Sequence, residues 1–303
     1  MKDNTYTVLL FYKYTDIRNP EEIKLQQKQL CEKLNLKGRI IIATEGINGT
    51  LEGTTTNTEK YAQEMDKLLL FQDINYKKSP GTGNAFPKLK IRVRSEIVTA
   101  GMRELNPNSI TGKYITSEKL HEWFEEKREF YIVDMRNDYE YASGYFEGFI
   151  PSGIKNFFDL KNILPTLSHL KGKTIVTVCT GGVRCEKASG FLVENGFKDV
   201  YQLKDGIHTY MEKYPGKHFK GKLYVFDNRI TIGINTQVVG SCMHCNTPCD
   251  SYVNCEYDMC HLHYICCNKC LDKELNLAFC KSECKEKYIS TQALRHKPLS
   301  SNP

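Results

Sequence analysis

The sequence predicts a mixed α/β protein built from several domains, and three observations support this class. The first hundred or so residues indicate the order strand–helix–strand–strand–helix–strand. The middle of the chain alternates apolar, β-branched runs with helix-like stretches, which is typical of a parallel sheet. Ten of the 13 cysteines lie in one short segment near the C-terminus. We therefore expect domains at 1–100, 101–220 and 221–290, and a disordered tail at 291–303.

The composition bounds the class of protein before any motif is considered. A chain of 303 residues with 40% hydrophobic and 26% charged residues is typical of a globular protein of two or three domains. We find no apolar run of membrane-spanning length and no secretory signal, so we expect a cytoplasmic protein without a membrane partner. In a reducing compartment, clustered cysteines indicate metal ligands. The net charge of +6 permits a nucleic-acid partner.

The N-terminal elements predict a ferredoxin-like α+β fold. Asn19-Pro20 is a suitable start for the first helix, and Asn57 or Thr58 could cap the second. The order of the elements is that of the ferredoxin-like motif. The predicted strands cover 8–14, 39–44, 49–53 and 89–98, and the predicted helices cover 20–34 and 57–70.

A basic strand is the first candidate binding feature. Lys88, Lys90, Arg92 and Arg94 alternate with aliphatic residues. Because side chains alternate between the faces of a strand, all four cations should share one face. We interpret this face as a candidate RNA-binding surface that contacts phosphates. An ordinary solvated sheet face is the alternative, and the RNA-binding habit of ferredoxin-like sheets is only an analogy.

The turn at 45–50 has two interpretations. Gly46 and Gly49 bracket a short segment that could present Glu45 and Asn48 to a ligand. The alternative is a simple hairpin connection, in which glycine and asparagine are expected because they tolerate positive φ.

The most informative segment is the loop 179–185, which begins with Cys179 and contains Arg184. It follows the β-branched run 174–178 and precedes a helix-like stretch at 186–194. A cysteine on a glycine-containing loop that opens a helix faces unpaired backbone N–H groups, which favour an anion. We therefore expect a site that holds a thiolate, a persulfide or an oxyanion. A buried structural cysteine is the alternative.

The length of this loop separates related chemistries. Only four residues lie between Cys179 and Arg184, and Val178 precedes the cysteine. A cysteine phosphatase needs a longer loop to hold a phosphate, so the pocket should suit sulfur or a flat base edge better. Cys185 could resolve an oxidised intermediate or point into the helix core.

The C-terminal cysteine cluster predicts a metal-binding module. The segment has few aliphatic residues, so it needs bound metal ions or cross-links to stabilise it in place of a hydrophobic core. Short paired spacings allow two thiolates to reach one ion, and zinc is the leading choice. An iron–sulfur cluster and a disulfide-bonded knot are the alternatives. Spacing does not decide how the pairs combine, and Cys249 and Cys266 are left over. The predicted ligands are Cys242 with Cys245, Cys255 with Cys260, Cys267 with Cys270, and Cys280 with Cys284.

The central segment 116–214 resembles a rhodanese domain, which implies an α/β fold with a parallel sheet. One departure is Tyr145, which stands where rhodaneses usually carry histidine. We expect this position to be structural. The resemblance is carried by 134–136, 144–150, the Cys179-x4-Arg184 loop and 196–206.

The order of motifs along nearly the whole chain resembles the prokaryotic rhodanese-type tRNA uridine hydroxylases. The motif 38–50, the rhodanese-like segment, the motif 225–229 and the cysteine-rich end carry this resemblance. It implies oxygen-dependent hydroxylation of the wobble uridine of tRNA to 5-hydroxyuridine, with Cys179 as the catalytic cysteine. We see no dinucleotide, flavin or haem motif, so the electron donor is unspecified.

The residues of the Cys179 loop suggest how hydroxylation could proceed, and they leave two alternative functions open. Arg184 and the loop N–H groups would stabilise a sulfur anion or an enolate oxygen. The base would leave its stack to reach such a loop, which is easiest in an anticodon loop. The first alternative is a sulfurtransferase, for example acting on thiosulfate, with a persulfide on Cys179. The second is a non-enzymatic adaptor with Cys179 as a redox sensor.

Overall fold

The N-terminal unit is a five-stranded sheet with two helices packed on one face. The computed structural model describes residues 5–233 and 237–295. The core between sheet and helices includes Phe11, Ile40 and Tyr61, all fully buried. The elements are β1 (Tyr6–Tyr14), α1 (Pro20–Lys33), β2 (Lys37–Ala43), β3 (Gly46–Thr54), α2 (Thr55–Asp66), β4 (Lys77–Gly81) and β5 (Leu89–Val93).

The sheet confirms the ferredoxin-like fold but corrects the identity of its fourth strand. The strand order is β4-β1-β3-β2-β5, with β5 parallel to β2. The fourth strand of the ferredoxin-like motif is therefore β4, which was not among the predicted strands. The predicted strand 89–98 is an added edge strand that ends at Val93. Pro80 lies within β4, and proline is tolerated there because β4 is also an edge strand.

The first helix begins where predicted, and the second begins earlier. The Asn19 side chain accepts a hydrogen bond from the backbone N–H of Glu22, which caps α1. The cap of α2 is Thr54 instead of Asn57 or Thr58, and its hydroxyl accepts from the N–H of Asn57. This helix ends at Asp66, short of the predicted residue 70.

The central unit is a parallel sheet of five strands in the order β6-β11-β10-β7-β9. Strand β10 occupies the middle position, and the loop that follows it carries Cys179. The elements are β6 (Lys113–Ile115), α3 (Ser117–Glu125), β7 (Tyr131–Asp134), α4 (Asp138–Tyr141), β8 (Gly144–Phe146), β9 (Ile150–Pro151), α5 (Leu164–Leu167), β10 (Thr174–Val178), α6 (Val183–Glu194), β11 (Asp199–Leu203), α7 (Gly206–Lys213) and β12 (Phe219–Gly221).

The C-terminal unit has little regular structure besides one helix. Its helix continues to Arg295, into the segment predicted to be a disordered tail, and the rest of that predicted tail lies outside the described residues. Strands β15 and β16 form an antiparallel pair inside the cysteine-rich segment. The elements are β13 (Leu223–Tyr224), β14 (Thr231–Ile232), β15 (Tyr252–Asn254), β16 (His263–Ile265) and α8 (Ser282–Arg295).

A buried ion-pair cluster joins the N-terminal and central units. The Lys187 ammonium, on α6, lies 2.8 Å from a carboxylate oxygen of Glu45 and 2.7 Å from one of Glu96. Lys187 is fully buried. Glu45 also accepts a hydrogen bond from the backbone N–H of Ile97. Glu45 lies in the hairpin turn between β2 and β3, as one interpretation predicted. Its ion pair with Lys187 joins the two units.

The described residues contain no helix that is both long and apolar enough to span a membrane.

Candidate active site

Cys179 lies at the carboxyl end of the central strand β10. Its sulfur accepts a hydrogen bond from the backbone N–H of Gly182 at 3.2 Å. Gly182 has a φ of 102°, and a Cβ there would lie 2.7 Å from the Tyr12 hydroxyl. Glycine is therefore required both for the backbone conformation and for the close approach of the N-terminal unit.

The surroundings of Cys179 favour its thiolate form. Burial alone would raise the pKa of the Cys179 thiol. Hydrogen bonds from the Cys185 thiol and from the backbone N–H groups of Cys185 and Arg184, together with the charge of Arg184, outweigh burial and lower the pKa to about 6. The site therefore favours the Cys179 thiolate more than the environment of an ordinary cysteine does.

Cys185 is buried beside Cys179 in the first turn of α6. Burial, and then its hydrogen bond to Cys179, raise the pKa of the Cys185 thiol well above its usual value. Cys185 therefore stays protonated and donates to the Cys179 sulfur. Cys185 lies in the helix core, as one interpretation predicted, and its thiol also contacts the Cys179 sulfur.

Arg184 is held by the carboxylate of Glu140, which was not among the predicted site residues. Its Nη1 lies 2.5 Å from Glu140 Oε1, and its Nη2 lies 2.8 Å from Glu140 Oε2. Glu140 also accepts a hydrogen bond from the backbone N–H of Asn137, completing a capping box at the start of α4. The Asn137-x-x-Glu140 spacing was the available signal, because this spacing is typical of a helix start.

The cavity at Cys179 is formed by all three units. Its volume is about 350 Å³, within the range of small-molecule sites. The N-terminal sheet supplies Tyr12 and Asn48, and the segment after β13 supplies Phe226. Phe226 is 46% exposed, and its ring centroid lies 5.7 Å from the Arg184 guanidinium carbon. An exposed aromatic ring at the edge of a cavity can stack on a planar ligand.

The basic strand lies on the sheet face that supplies this cavity. Lys88, Lys90, Arg92 and Arg94 are all exposed, whereas the aliphatic residues between them are partly buried. Lys90 is in register with Arg39 of β2, and Arg39 lines the cavity. The three neighbouring arginines and Lys88 lower the pKa of Lys90, Arg92 having the largest effect. The cations therefore form a continuous positive surface that reaches the cavity mouth.

The eight predicted cysteine ligands form two groups of four. The first group contains Cys242, Cys245, Cys267 and Cys270, and the second contains Cys255, Cys260, Cys280 and Cys284. The pairs therefore combine in alternation along the chain, a question that spacing left open. Cys249 and Cys266 belong to neither group.

The separations within the groups fit a tetrahedral metal site. Cys245 and Cys267 sulfurs are 3.7 Å apart, and Cys280 is 3.5 Å from both Cys260 and Cys284. Four thiolates at a zinc–sulfur distance of about 2.3 Å have sulfur atoms roughly 3.8 Å apart. All cysteines are unpaired in the structure, so a disulfide-bonded knot does not describe it.

Three family models match the chain. An acylphosphatase-like domain of the UPF0176 type matches residues 6–97, a rhodanese-like domain matches 116–213, and a rhodanase C-terminal domain matches 220–285. Together with the cysteine site, these matches place the chain among multidomain rhodanese-like proteins.

Curated relatives define the family more closely. A tRNA uridine(34) hydroxylase of Bacillus cytotoxicus is 43% identical over 92% of this chain and 88% of its own length. A protein of the same name from Bacillus licheniformis is 41% identical over 93% of this chain and 89% of its own length. Another from Staphylococcus haemolyticus is 42% identical over 92% of this chain and 88% of its own length. The chain belongs to the tRNA uridine(34) hydroxylase family.

Proposed function

We propose that this protein hydroxylates C5 of uridine 34 in tRNA, with Cys179 as the catalytic nucleophile. The observation that carries the proposal is the thiolate-forming cysteine at the base of a cavity shared by the three units. The family to which the chain belongs is named for this reaction. The reaction takes place on tRNA in the cytoplasm.

The cavity receives one base that has left the anticodon stack. The Phe226 ring stacks on the base, and Arg39 extends the positive surface toward the neighbouring phosphates. Lys88, Lys90, Arg92 and Arg94 contact the backbone of the anticodon stem-loop. Asn48 donates a hydrogen bond to the backbone oxygen of Ile97, which fixes its side chain at the cavity wall.

The chemical role of Cys179 is to make C5 of uracil nucleophilic. The thiolate adds to C6, and electrons of the C5–C6 double bond move toward the C4 carbonyl oxygen to give an enolate. After oxygen insertion at C5, loss of the C5 proton and departure of the thiolate from C6 restore the double bond. Arg184, held by Glu140, supplies the positive charge that stabilises the anionic forms.

The oxygen insertion balances with a two-electron donor. One atom of dioxygen becomes the C5 hydroxyl group, and the other leaves as water. This requires two electrons and two protons, which we assign to a dithiol reductant that is oxidised to a disulfide.

We further propose that both cysteine groups bind structural zinc. Four thiolates in a small module without its own aliphatic core match the preference of zinc. Metal analysis of the purified chain should give two zinc ions per chain from these groups, and a Cys242→Ser, Cys255→Ser double variant should lose both. Bound iron with the absorption of an iron–sulfur cluster would contradict the assignment.

Nucleoside mass spectrometry of tRNA tests the proposed reaction. Cells lacking the protein should lose 5-hydroxyuridine and its derivatives, and the wild-type gene should restore them. Cys179→Ser should fail to restore them, whereas Cys31→Ser, which changes a buried cysteine on α1, should succeed. Loss of a thiolated nucleoside in place of 5-hydroxyuridine would favour sulfur transfer, and no change in either would favour the adaptor.

A further inference from the structure

A second group of possible metal ligands lies outside the cavity and both cysteine groups. His121 and Glu125 are on α3, and His218 lies just before β12. One ring nitrogen of each histidine and one carboxylate oxygen of Glu125 all lie within 4.8 Å of one another. We propose that these three side chains bind a divalent transition-metal ion. The proposal does not depend on the function assigned to the cavity.

The spacing on α3 places two of the ligands side by side. His121 and Glu125 are four residues apart, so they lie on one face of the helix, one turn apart. The third ligand comes from a different element, because His218 precedes the strand that pairs with β8. His218 Nε2 is already 3.0 Å from Glu125 Oε1. A bound ion would therefore link the end of α3 to the start of β12.

A hydrogen-bonding partner orients the His121 ring, and a carboxylate lies near the second nitrogen of His218. His121 Nδ1 lies 3.2 Å from the Tyr210 hydroxyl, which leaves Nε2 for a metal ion. His218 Nδ1 lies 3.7 Å from a carboxylate oxygen of Glu147, on the side of the ring opposite to Glu125. A ligating histidine typically directs its second nitrogen toward such an oxygen, which orients the ring and increases its basicity.

Aromatic packing adds to this orientation. The His121 ring stacks on Tyr214 with centroids 4.0 Å apart, and the His218 ring stacks on Phe124 at 4.2 Å and 4°. The backbone of His218 has a φ of 58°, in the left-handed region that residues other than glycine rarely adopt. Packing and backbone together hold the ring beside Glu125.

The donor atoms narrow the kind of ion. Two imidazole nitrogens and one carboxylate oxygen suit divalent transition-metal ions such as zinc, cobalt, nickel or iron, whereas calcium and magnesium prefer oxygen ligands alone. The Glu125 side chain is 62% exposed, so solvent reaches the group. Three protein ligands with solvent access leave a fourth position for water.

Cobalt titration of the full-length protein tests this site, because cobalt reports its ligands by absorption. With both cysteine groups loaded with zinc, one further equivalent of cobalt should bind. Its visible ligand-field bands should appear without sulfur-to-cobalt charge-transfer absorption. Glu125→Gln, which changes an exposed side chain, and His218→Gln should each weaken cobalt binding by about tenfold or more. His169→Gln, an exposed histidine outside the group, should leave binding unchanged.

Two results would overturn the proposal. If the wild-type protein binds no further equivalent of cobalt, His218 and Glu125 form an ion pair only. Equal cobalt affinity in the wild type and in a His121→Gln, His218→Gln double variant would place the extra ion elsewhere. Circular dichroism of each variant confirms that the fold is retained.

Discussion

At the scale of single residues, the reactivity of Cys179 depends on groups of its own loop. The Gly182 N–H, the Cys185 thiol and the Arg184 guanidinium all act on one sulfur atom. These groups follow the cysteine directly in the chain, so their local geometry depends on the strand–loop–helix connection. This is why the sequence alone was sufficient to predict an anion-stabilising loop at this position.

The low pKa of Cys179 predicts the pH dependence of the reaction. Burial opposes ionisation, but the hydrogen bonds and Arg184 bring the pKa to about 6, so the thiolate is lost as pH falls through that value. We expect kcat/KM to be level above this pH and to fall about tenfold per pH unit below it. Steady-state kinetics on an anticodon stem-loop across this range measure the profile.

A variant tests the cause of that profile. Arg184→Gln removes the positive charge, so the inflection should move to higher pH. A wild-type profile that rises steadily through pH 8 would contradict a lowered cysteine pKa, as would an inflection that does not move in the variant.

Phe226 provides a second prediction at this scale. Stacking of a base on an aromatic ring contributes about 1–3 kcal/mol, so Phe226→Ala should lower kcat/KM by about tenfold or more. Phe226→Tyr keeps the ring and should remain active. Phe158→Ala changes an equally exposed ring that does not line the cavity, at 48% exposure, and is the matched control. Equal kinetics for Phe226→Ala and wild type would remove Phe226 from the binding site.

At the scale of elements, the basic strand β5 carries the expected tRNA contact. Its alternation of cations and aliphatic residues was readable from the sequence, because a strand places successive side chains on opposite faces. The structure adds that the basic face adjoins the cavity through Arg39. This relationship depends on strand pairing between distant segments, which the local pattern does not encode.

Salt dependence tests the basic strand. Changing Lys88, Lys90, Arg92 and Arg94 to Gln should weaken tRNA binding and reduce the slope of log affinity against log salt by about three, since each phosphate contact on a single strand contributes roughly 0.7. An unchanged slope would identify an ordinary solvated surface. The matched control changes four exposed lysines on, or directly after, the helices of the opposite sheet face, namely Lys28, Lys33, Lys60 and Lys67.

There are physical reasons why the sequence did not predict strand β4 or the combination of the cysteine pairs. The strand β4 contains Pro80 and lacks an aliphatic alternation, so its local sequence does not indicate a strand. Its pairing with β1 overrides that preference. Likewise, the alternation of the cysteine pairs depends on how the C-terminal unit folds back on itself, and ligand spacing contains no information on that path.

At the scale of the whole molecule, the cavity exists only while the units remain attached. Tyr12 of the N-terminal unit donates a hydrogen bond to Glu186 of α6, and Arg229 donates to the backbone oxygen of Pro80. With the Lys187 cluster, these contacts place the sheet face opposite the catalytic loop. The sequence indicated each unit separately, but it could not show that they share one site.

Substitution of Lys187 tests whether the buried ion-pair cluster holds the two units together. Lys187→Met leaves Glu45 and Glu96 close together without their cation, and breaking a buried ion pair costs about 3–5 kcal/mol. Urea unfolding should therefore show a lower free energy of unfolding, and hydroxylation should fall with it. Lys198→Met, at an exposed position, should change the free energy by less than about 0.5 kcal/mol. A similarly small change for Lys187→Met would show that the cluster does not hold the units together.

The origin of the oxygen atom in the product tests the proposed hydroxylation most directly. Purified protein, tRNA and a dithiol reductant are incubated with isotopically labelled dioxygen, and the nucleosides are analysed by mass spectrometry. We expect one labelled oxygen atom in each 5-hydroxyuridine, none from labelled water, and no product with Cys179→Ser. Label from water, or full activity of Cys179→Ser, would contradict it.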